Sequence, residues 1–183
     1  MQRLFLGIPV PVALRQVLHE FQQQLGDWPA IKWVPPVNFH ITVYFFGGVP
    51  EERLENLQAL LSLATQSISP FVLEYDRFVL APKLDEARMI WARYHKTDAF
   101  REAVQSIHQL YEQIEPEQQV RKSPIPHITL ARLRRTLGQF ELPSRTISPP
   151  QKLAVKELVL WESILEGESP EYRVIRRYPL QGA

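Results

Sequence analysis

Two segments of this chain carry the same tripeptide, and both look like strands. His-Ile-Thr stands at His40 to Thr42, within NFHITVYFF, and again at His127 to Thr129, within PIPHITLARL. The chain has only five His and six Thr among 183 residues, so chance is a poor source of the match. In a strand, residues i and i+2 share a face while i+1 points the other way. Each motif therefore presents an imidazole beside a hydroxyl, with the Ile buried behind them. The second motif lies 87 residues after the first, close to half the chain, and the preceding segments LRQVLHEFQQQL and FREAVQSIHQLY align at an offset of 86. A fold must accommodate that duplication.

The order of elements is legible around the motifs. Residues 3 to 9 read as a strand, after which Val12, Leu14, Val17, Leu18, Phe21 and Leu25 recur at helical spacing. The Pro-rich segment WPAIKWVPPVNF leads into a strand over 38 to 46, which Gly47, Gly48 and Pro50 are expected to end. A helix over 51 to 66 follows, with Leu54, Leu57, Leu61 and Ala64 on one face and Glu51 and Glu52 in its first turn, where acidic groups complement the helix dipole. FVLEYDRFVLAP and ARMIWARY read as strands joined by a Lys-Leu-Asp-Glu turn. DAFREAVQSIHQLYEQI is an amphipathic helix marked by Phe100, Val104, Ile107, Tyr111 and Ile114, and KELVLWE answers DRFVLAP later in the chain.

The second half offers no partner for the helix at 51 to 66. The expected architecture is one α+β domain over 1–183, built of two lobes related by a pseudo-twofold axis. Each lobe is an antiparallel sheet with outer helices, and the axis brings both histidines to one central cleft.

Composition narrows the function. At 45% hydrophobic and 22% charged the chain can bury a real core, and a net charge of +1 with pI near 8.0 excludes a polycation that coats duplex nucleic acid. Without any Cys, thiolate nucleophiles and Cys-based zinc sites are excluded. Arg3 before an apolar run looks superficially like a leader peptide, but Pro9 and Pro11 interrupt it and no small-residue cleavage pattern follows. No apolar run approaches the roughly 18 residues of a membrane span. A soluble, cytoplasmic, monomeric protein is the expectation.

Two imidazoles facing each other across a gap can hold one proton between them, one acting as general base and the other as general acid. That suits displacement at phosphorus, where the entering and the leaving oxygen both need proton transfer. With an unperturbed pKa of about 6.5, His keeps both forms accessible near neutrality. A Thr hydroxyl beside each imidazole can hold a non-bridging phosphate oxygen. No metal is indicated, because neither motif has an adjacent carboxylate and the chain has only four Asp. Arg121, Lys122, Arg132, Arg134 and Arg135 surround the second motif with no acidic residue between 121 and 135.

Near the first motif, Trp33, Tyr44, Phe45 and Phe46 are candidates both for packing and for a wall on which bases stack. By parity Tyr44 and Phe46 share the face of His40, and Phe45 lies with Ile41 and Val43 in the core. His19, His95 and His108 are read as solvated surface residues.

With these residues in view, the sequence resembles the 2H phosphoesterases, which carry two H-x-[ST] motifs, and specifically the RNA 2′,3′-cyclic phosphodiesterases long called 2′-5′ RNA ligases. The likeness runs through RLFLGIPVP, KWVPPVNFHITVYFFG, APKLDEARMIWARY, PIPHITLARL and LVLWESILEGESPEYRVI. Val43 and Phe46 stand where Leu is usual, as conservative apolar exchanges. The resemblance implies hydrolysis of a ribose 2′,3′-cyclic phosphate, on RNA ends or nucleotides, to a 2′-phosphate without cofactor. It implies His40 as proton donor to the departing 3′ oxygen and His127 as acceptor from the attacking water; spacing alone assigns neither role. It further implies that Thr42 and Thr129 hold the phosphate and that Arg132 neutralises it. Strict alternation turns Arg132 away from His127, so its role requires the strand to twist, bulge or end there. The rival readings are 2′-5′ joining of RNA ends, opening of a small cyclic nucleotide, and a nucleotide-binding module without turnover.

Overall fold

The computed structural model describes residues 1–83, 86–113, 124–134, 142, 150–167 and 169–182. In chain order its elements are β1 (Gln2–Pro9), α1 (Val12–Leu25), β2 (Ile31–Trp33), a 3₁₀ turn (Pro36–Asn38), β3 (His40–Val49), α2 (Glu51–Gln66) and β4 (Phe71–Ala81). There follow β5 (Met89–Tyr94), α3 (Asp98–Glu112), β6 (His127–Leu133), β7 (Lys152–Val155), β8 (Glu157–Ile164) and β9 (Glu171–Pro179). Every strand pairing is antiparallel. The strands form one curled sheet in the order β7-β4-β5-β6-β3-β1-β8-β9, with β2 on β6.

The path through the sheet has a mirrored order about the β6–β3 junction. The motif strands are innermost, β5 and β1 flank them, and β4 and β8 lie outside those. The expected lobes are thus two halves of one continuous sheet, joined where Ile41 pairs with Ile128. One face of this sheet is covered by helices and is apolar. Leu4, Leu6, Ile8, Ile41, Ile128, Leu130 and Leu160 are all buried there with Phe21, Leu61 and Ile107. The helices cross over between halves. α1 lies against β4, stacking Phe21 on Phe78 at 3.7 Å, while α3 packs Tyr111 edge-on against Phe46 of β3 at 4.9 Å.

Local sequence accounts for the helix boundaries. Thr97 caps α3 by accepting the Phe100 N–H at 3.2 Å, and Pro50 precedes the acidic first turn of α2. α1 buries Leu14, Leu18, Phe21, Gln22 and Leu25, but Val12 in its first turn is 65% exposed, off the apolar stripe. Gly47 and Gly48 do not end the first motif strand, which continues to Val49 against Gln2 of β1. Ile114, and Leu84 and Asp85 of the turn between β4 and β5, lie outside the described residues. Among the described residues no helix is long and apolar enough to cross a membrane.

Candidate active site

β3 and β6 run side by side at the centre of the sheet, and their register decides what the two motifs share. Ile41 pairs with Ile128, both fully buried on the helix-covered face. The neighbouring residues His40, Thr42, His127 and Thr129 alternate to the opposite, open face. Extending the antiparallel register by one residue each way sets His40 across from Thr129, and Thr42 across from His127.

The two imidazoles are held alike. His40 Nδ1 donates to the Asn38 carbonyl at 2.7 Å, and His127 Nδ1 donates to the Ile125 carbonyl at 2.7 Å. A carbonyl only accepts, so each Nδ1 carries a proton and each Nε2 is the atom that exchanges one. Prolines precede both anchors: Pro35 and Pro36 open the 3₁₀ turn that ends at Asn38, and Pro124 stands ahead of Ile125. Thr42 Oγ1 lies 3.1 Å from His40 Nε2 and donates to it when the ring is neutral.

Bulges decide which other residues join this face. Opposite β5, residue 131 pairs with Ile90 and residue 129 with Trp91, so Leu130 is an extra residue in β6. Its carbonyl accepts from Gln22 Nε2 at 2.9 Å and from the Val34 N–H at 2.9 Å, which fixes the irregularity. The bulge reverses the parity beyond it, and Arg132 comes onto the face of Thr129, across from Met89. The difficulty that strict alternation raises for Arg132 is thereby removed. Lys32 of β2 stands opposite Arg132 in register. Arg121, Lys122 and Arg135 lie outside the described residues.

β3 carries two further bulges, at Val43 and Phe46, seen in its pairing with β1. They overturn the parity reading of the aromatic cluster. Tyr44 and Phe46 are buried, whereas Phe45 pairs with Phe5, is 45% exposed and lies on the face of His40. His108 also departs from the sequence reading. It is half-buried, its Nε2 donating to Glu112 Oε1 across 3.1 Å and its ring stacking against Tyr44.

The surroundings of the two histidines differ. His40 is packed among Phe5 at 4.7 Å, Tyr172 edge-on at 5.2 Å and Trp161 at 5.7 Å between ring centres. Gly7 makes room for this packing, since a Cβ there would sit 2.7 Å from the Ile41 carbonyl oxygen and 3.1 Å from the Trp161 ring. Burial lowers the His40 pKa to about 4; the Asn38 hydrogen bond opposes the shift, and the charges of His127 and Arg132 reinforce it. Burial also pushes the Tyr172 hydroxyl up, and the opposing effects of Arg132 and Arg3 set both cations near that ring. His127 instead stacks on Trp91, at 3.7 Å and 22° between planes.

Phe5, Trp91, Trp161, Tyr172, Lys32 and Asn38 were not assigned to the site from sequence. Asn38 is buried, and its Nδ2 donates to the Pro170 carbonyl at 2.7 Å, tying the β8–β9 end to the carbonyl that anchors His40. Among the described residues no group of three or more His, Cys, Asp or Glu side chains is placed to hold a metal ion. Five groups share one face: two Nε2 atoms able to exchange protons, two hydroxyls able to donate hydrogen bonds, and the positively charged Arg132.

Known proteins share this arrangement of the chain. The sequence model of the LigT-like phosphoesterases matches residues 8–91, which contain the first motif. An RNA 2′,3′-cyclic phosphodiesterase of Methanocaldococcus jannaschii is 27% identical over 96% of this chain and 99% of its own length. Another, of Thermus thermophilus, is 27% identical over 98% and 91%. Among solved structures, TT0787 of Thermus thermophilus superposes with a TM-score of 0.82 at 26% identity, covering 98% of both chains. Escherichia coli LigT complexed with 3′-AMP has the same fold, with a TM-score of 0.77 at 24% identity over 98% of each. The family match over residues 8–91, the near full-length relatives and the shared fold agree with one another, and all liken this chain to the LigT-like phosphoesterases.

Proposed function

We propose that this protein hydrolyses 2′,3′-cyclic phosphates on RNA ends or nucleotides to 2′-phosphates, by acid/base catalysis between His40 and His127. The observation that carries this reading is the matched anchoring of the two rings. Each Nδ1 is committed to a backbone carbonyl two residues upstream, which leaves two Nε2 atoms on one face of adjacent strands. The names of the near full-length relatives supply the substrate class.

In the proposed reaction the cyclic phosphate lies between Thr42 and Thr129, with Arg132 neutralising its non-bridging oxygens. Water attacks phosphorus opposite the 3′ oxygen, and His127 Nε2 takes the proton that water releases. The bond from phosphorus to O3′ breaks, and His40 Nε2–H gives its proton to that oxygen. The phosphate stays on O2′. The chain's own residues balance the step, returning His40 neutral and His127 protonated, and proton exchange with solvent resets them.

The donor role asks His40 to carry a proton, yet in the free protein its pKa is held near 4. Burial is the main cause, and a bound anion opposes it by favouring the imidazolium. A phosphate entering beside Arg132 also screens that cation's repulsion of His40. In this reading the bound substrate favours the protonated form of His40 that the donor role requires.

Incubation of purified protein with oligoribonucleotides ending in a 2′,3′-cyclic phosphate, with chromatography of the products, tests the activity. The expected product is a monoester end, formed at an unchanged rate after exhaustive chelation. A divalent-ion requirement would replace the two-histidine account with metal-activated water. Joined products would establish the ligation direction, and binding without turnover would make the chain a recognition module.

A further inference from the structure

The apolar stripe of α1 is interrupted by an amide. Leu14, Leu18, Phe21 and Leu25 are buried against the sheet, and Gln22 is buried with them at 5% exposure. A buried amide is costly unless its polar atoms are met, and here both donors and the acceptor are. Its Oε1 accepts from His19 Nδ1 at 3.1 Å, while its Nε2 donates one hydrogen to the Val34 carbonyl at 2.8 Å and the other to the Leu130 carbonyl at 2.9 Å. Two carbonyls facing one nitrogen fix which end of the amide points to the sheet.

Those carbonyls lie where the sheet forks. Along β6, Ile128 pairs with Ile41 of β3, but from Ala131 onward the partner on that side is β2, with Ala131 opposite Trp33 and Arg132 opposite Lys32. Leu130, the extra residue of the bulge, stands at the change of partner, and its carbonyl also takes the Val34 N–H. Val34 in turn leads through Pro35 and Pro36 to Asn38, whose carbonyl holds the His40 ring. A single side chain thus joins the approach to the first motif to the exit from the second. Arg132 is the first residue of the open face beyond the bulge, and its charge reaches both His40 and Tyr172.

We infer that Gln22 is a positioning residue for phosphate binding: by clamping the fork it sets where Arg132 stands relative to Thr129 and the two histidines. Gln22 lies on the helix-covered face and acts on ligand only through what it holds. An apolar side chain would satisfy the stripe of α1; the amide is needed for the fork. The anchor of His40 has a second tie, from Asn38 Nδ2 to the Pro170 carbonyl at 2.7 Å, so loss of the clamp falls mainly on Arg132. This inference deepens the reading above and rests on its phosphate site.

The test is a double-mutant cycle on Gln22→Met and Arg132→Ala, read both as the dissociation constant of inorganic phosphate and as kcat/KM on a 2′,3′-cyclic nucleotide. Near-UV circular dichroism gives the folded fraction of each protein. Gln22→Met is expected to weaken phosphate binding and lower kcat/KM by about ten- to a hundredfold per folded molecule, the range for a group displaced from its working position. In the Arg132→Ala background the same change should cost no more than about twofold, because the group it positions is gone. Gln22→Asn, whose amide is a methylene too short to span both carbonyls, should show the same dependence on Arg132 with a smaller factor, and it carries the cycle if the methionine variant does not fold. Equal factors with and without Arg132 would make Gln22 a packing residue and overturn the inference, as would a folded Gln22→Met protein with wild-type binding. Phosphate binding separates this failure from failure of the activity. If binding shows the coupling but cyclic nucleotide is not turned over, the hydrolysis is wrong and the positioning role stands. A wild type that neither binds phosphate nor turns over substrate removes the phosphate site, and the role of Gln22 with it.

Discussion

His40 and His127 begin equivalent strands and make the same 2.7 Å hydrogen bond to a carbonyl two residues upstream, but they are housed differently. Around His40 three aromatic rings close in, two of them from strands distant in sequence. Against His127, Trp91 of the neighbouring strand β5 stacks flat. Duplication of the strand copied the hydrogen bond because that bond is made within the motif's own backbone. The housing was not copied, because it comes from β1, β8 and β9 on one side and β5 on the other. The result is a pair of identically anchored groups in unlike surroundings: burial lowers the proton affinity of His40, so its donor role depends on a bound anion that favours the imidazolium.

Removing either ring should have the largest effect. His40→Ala and His127→Ala are each expected to lower the rate of cyclic phosphate hydrolysis by about 10²- to 10⁴-fold, as for loss of a general acid or base. The double variant should lose less than the product of the two, since neither proton transfer proceeds well without the other. Steady-state kinetics on the three variants checks this. A single variant with near wild-type turnover would show that the comparison joins a catalytic residue to a bystander.

The unequal housing should also appear in stability. The unfolded chain protonates His40 near pH 6.5, while the folded protein resists until about 4. Between those values the unfolded state binds more protons, so stability is greatest above 6.5 and declines as pH falls, by up to about 3 kcal/mol once pH 4 is passed. Urea titrations across that range should give a shallower decline for His40→Gln than for wild type. Matching slopes would mean that the rings around His40 do not keep its charge out.

A smaller effect is expected beneath the same ring. Gly7→Ala puts a methyl against the Ile41 carbonyl and the Trp161 ring, and overpacking of this kind costs about 1–3 kcal/mol. The loss should be seen in the denaturant midpoint. A neutral substitution would indicate that β1 can shift away from β3 and that the aromatic enclosure is slack.

What could be read beforehand follows the range of each interaction. The helices and the faces of the motif strands rest on local periodicity, and Leu57, Leu61, Val104 and Ile107 sit in the core where that periodicity puts them. The His-Ile-Thr pair was legible because repetition is a property of sequence alone. Bulges were not, because an extra residue in one strand is defined only against its partner. Parity therefore put Phe45 on the wrong face and made Arg132 a puzzle, whose resolution lies in a buried glutamine of α1, Gln22, holding the Leu130 carbonyl. Trp161 and Tyr172 reach His40 from more than a hundred residues away in sequence, and no local pattern ties them to it.

The central claim is that acid and base hold fixed sides of one phosphorus, and the opened product reports on it most directly. Unguided hydrolysis of a 2′,3′-cyclic phosphate gives both isomers, whereas in-line geometry with a fixed donor lets only the oxygen facing that donor depart. Phosphorus NMR of the product from a cyclic nucleotide should show a 2′-phosphate alone, with His40 serving the 3′ oxygen. A mixture of 2′- and 3′-phosphates would contradict fixed roles for the two histidines, and a clean 3′-phosphate would reverse the assignment of the donor.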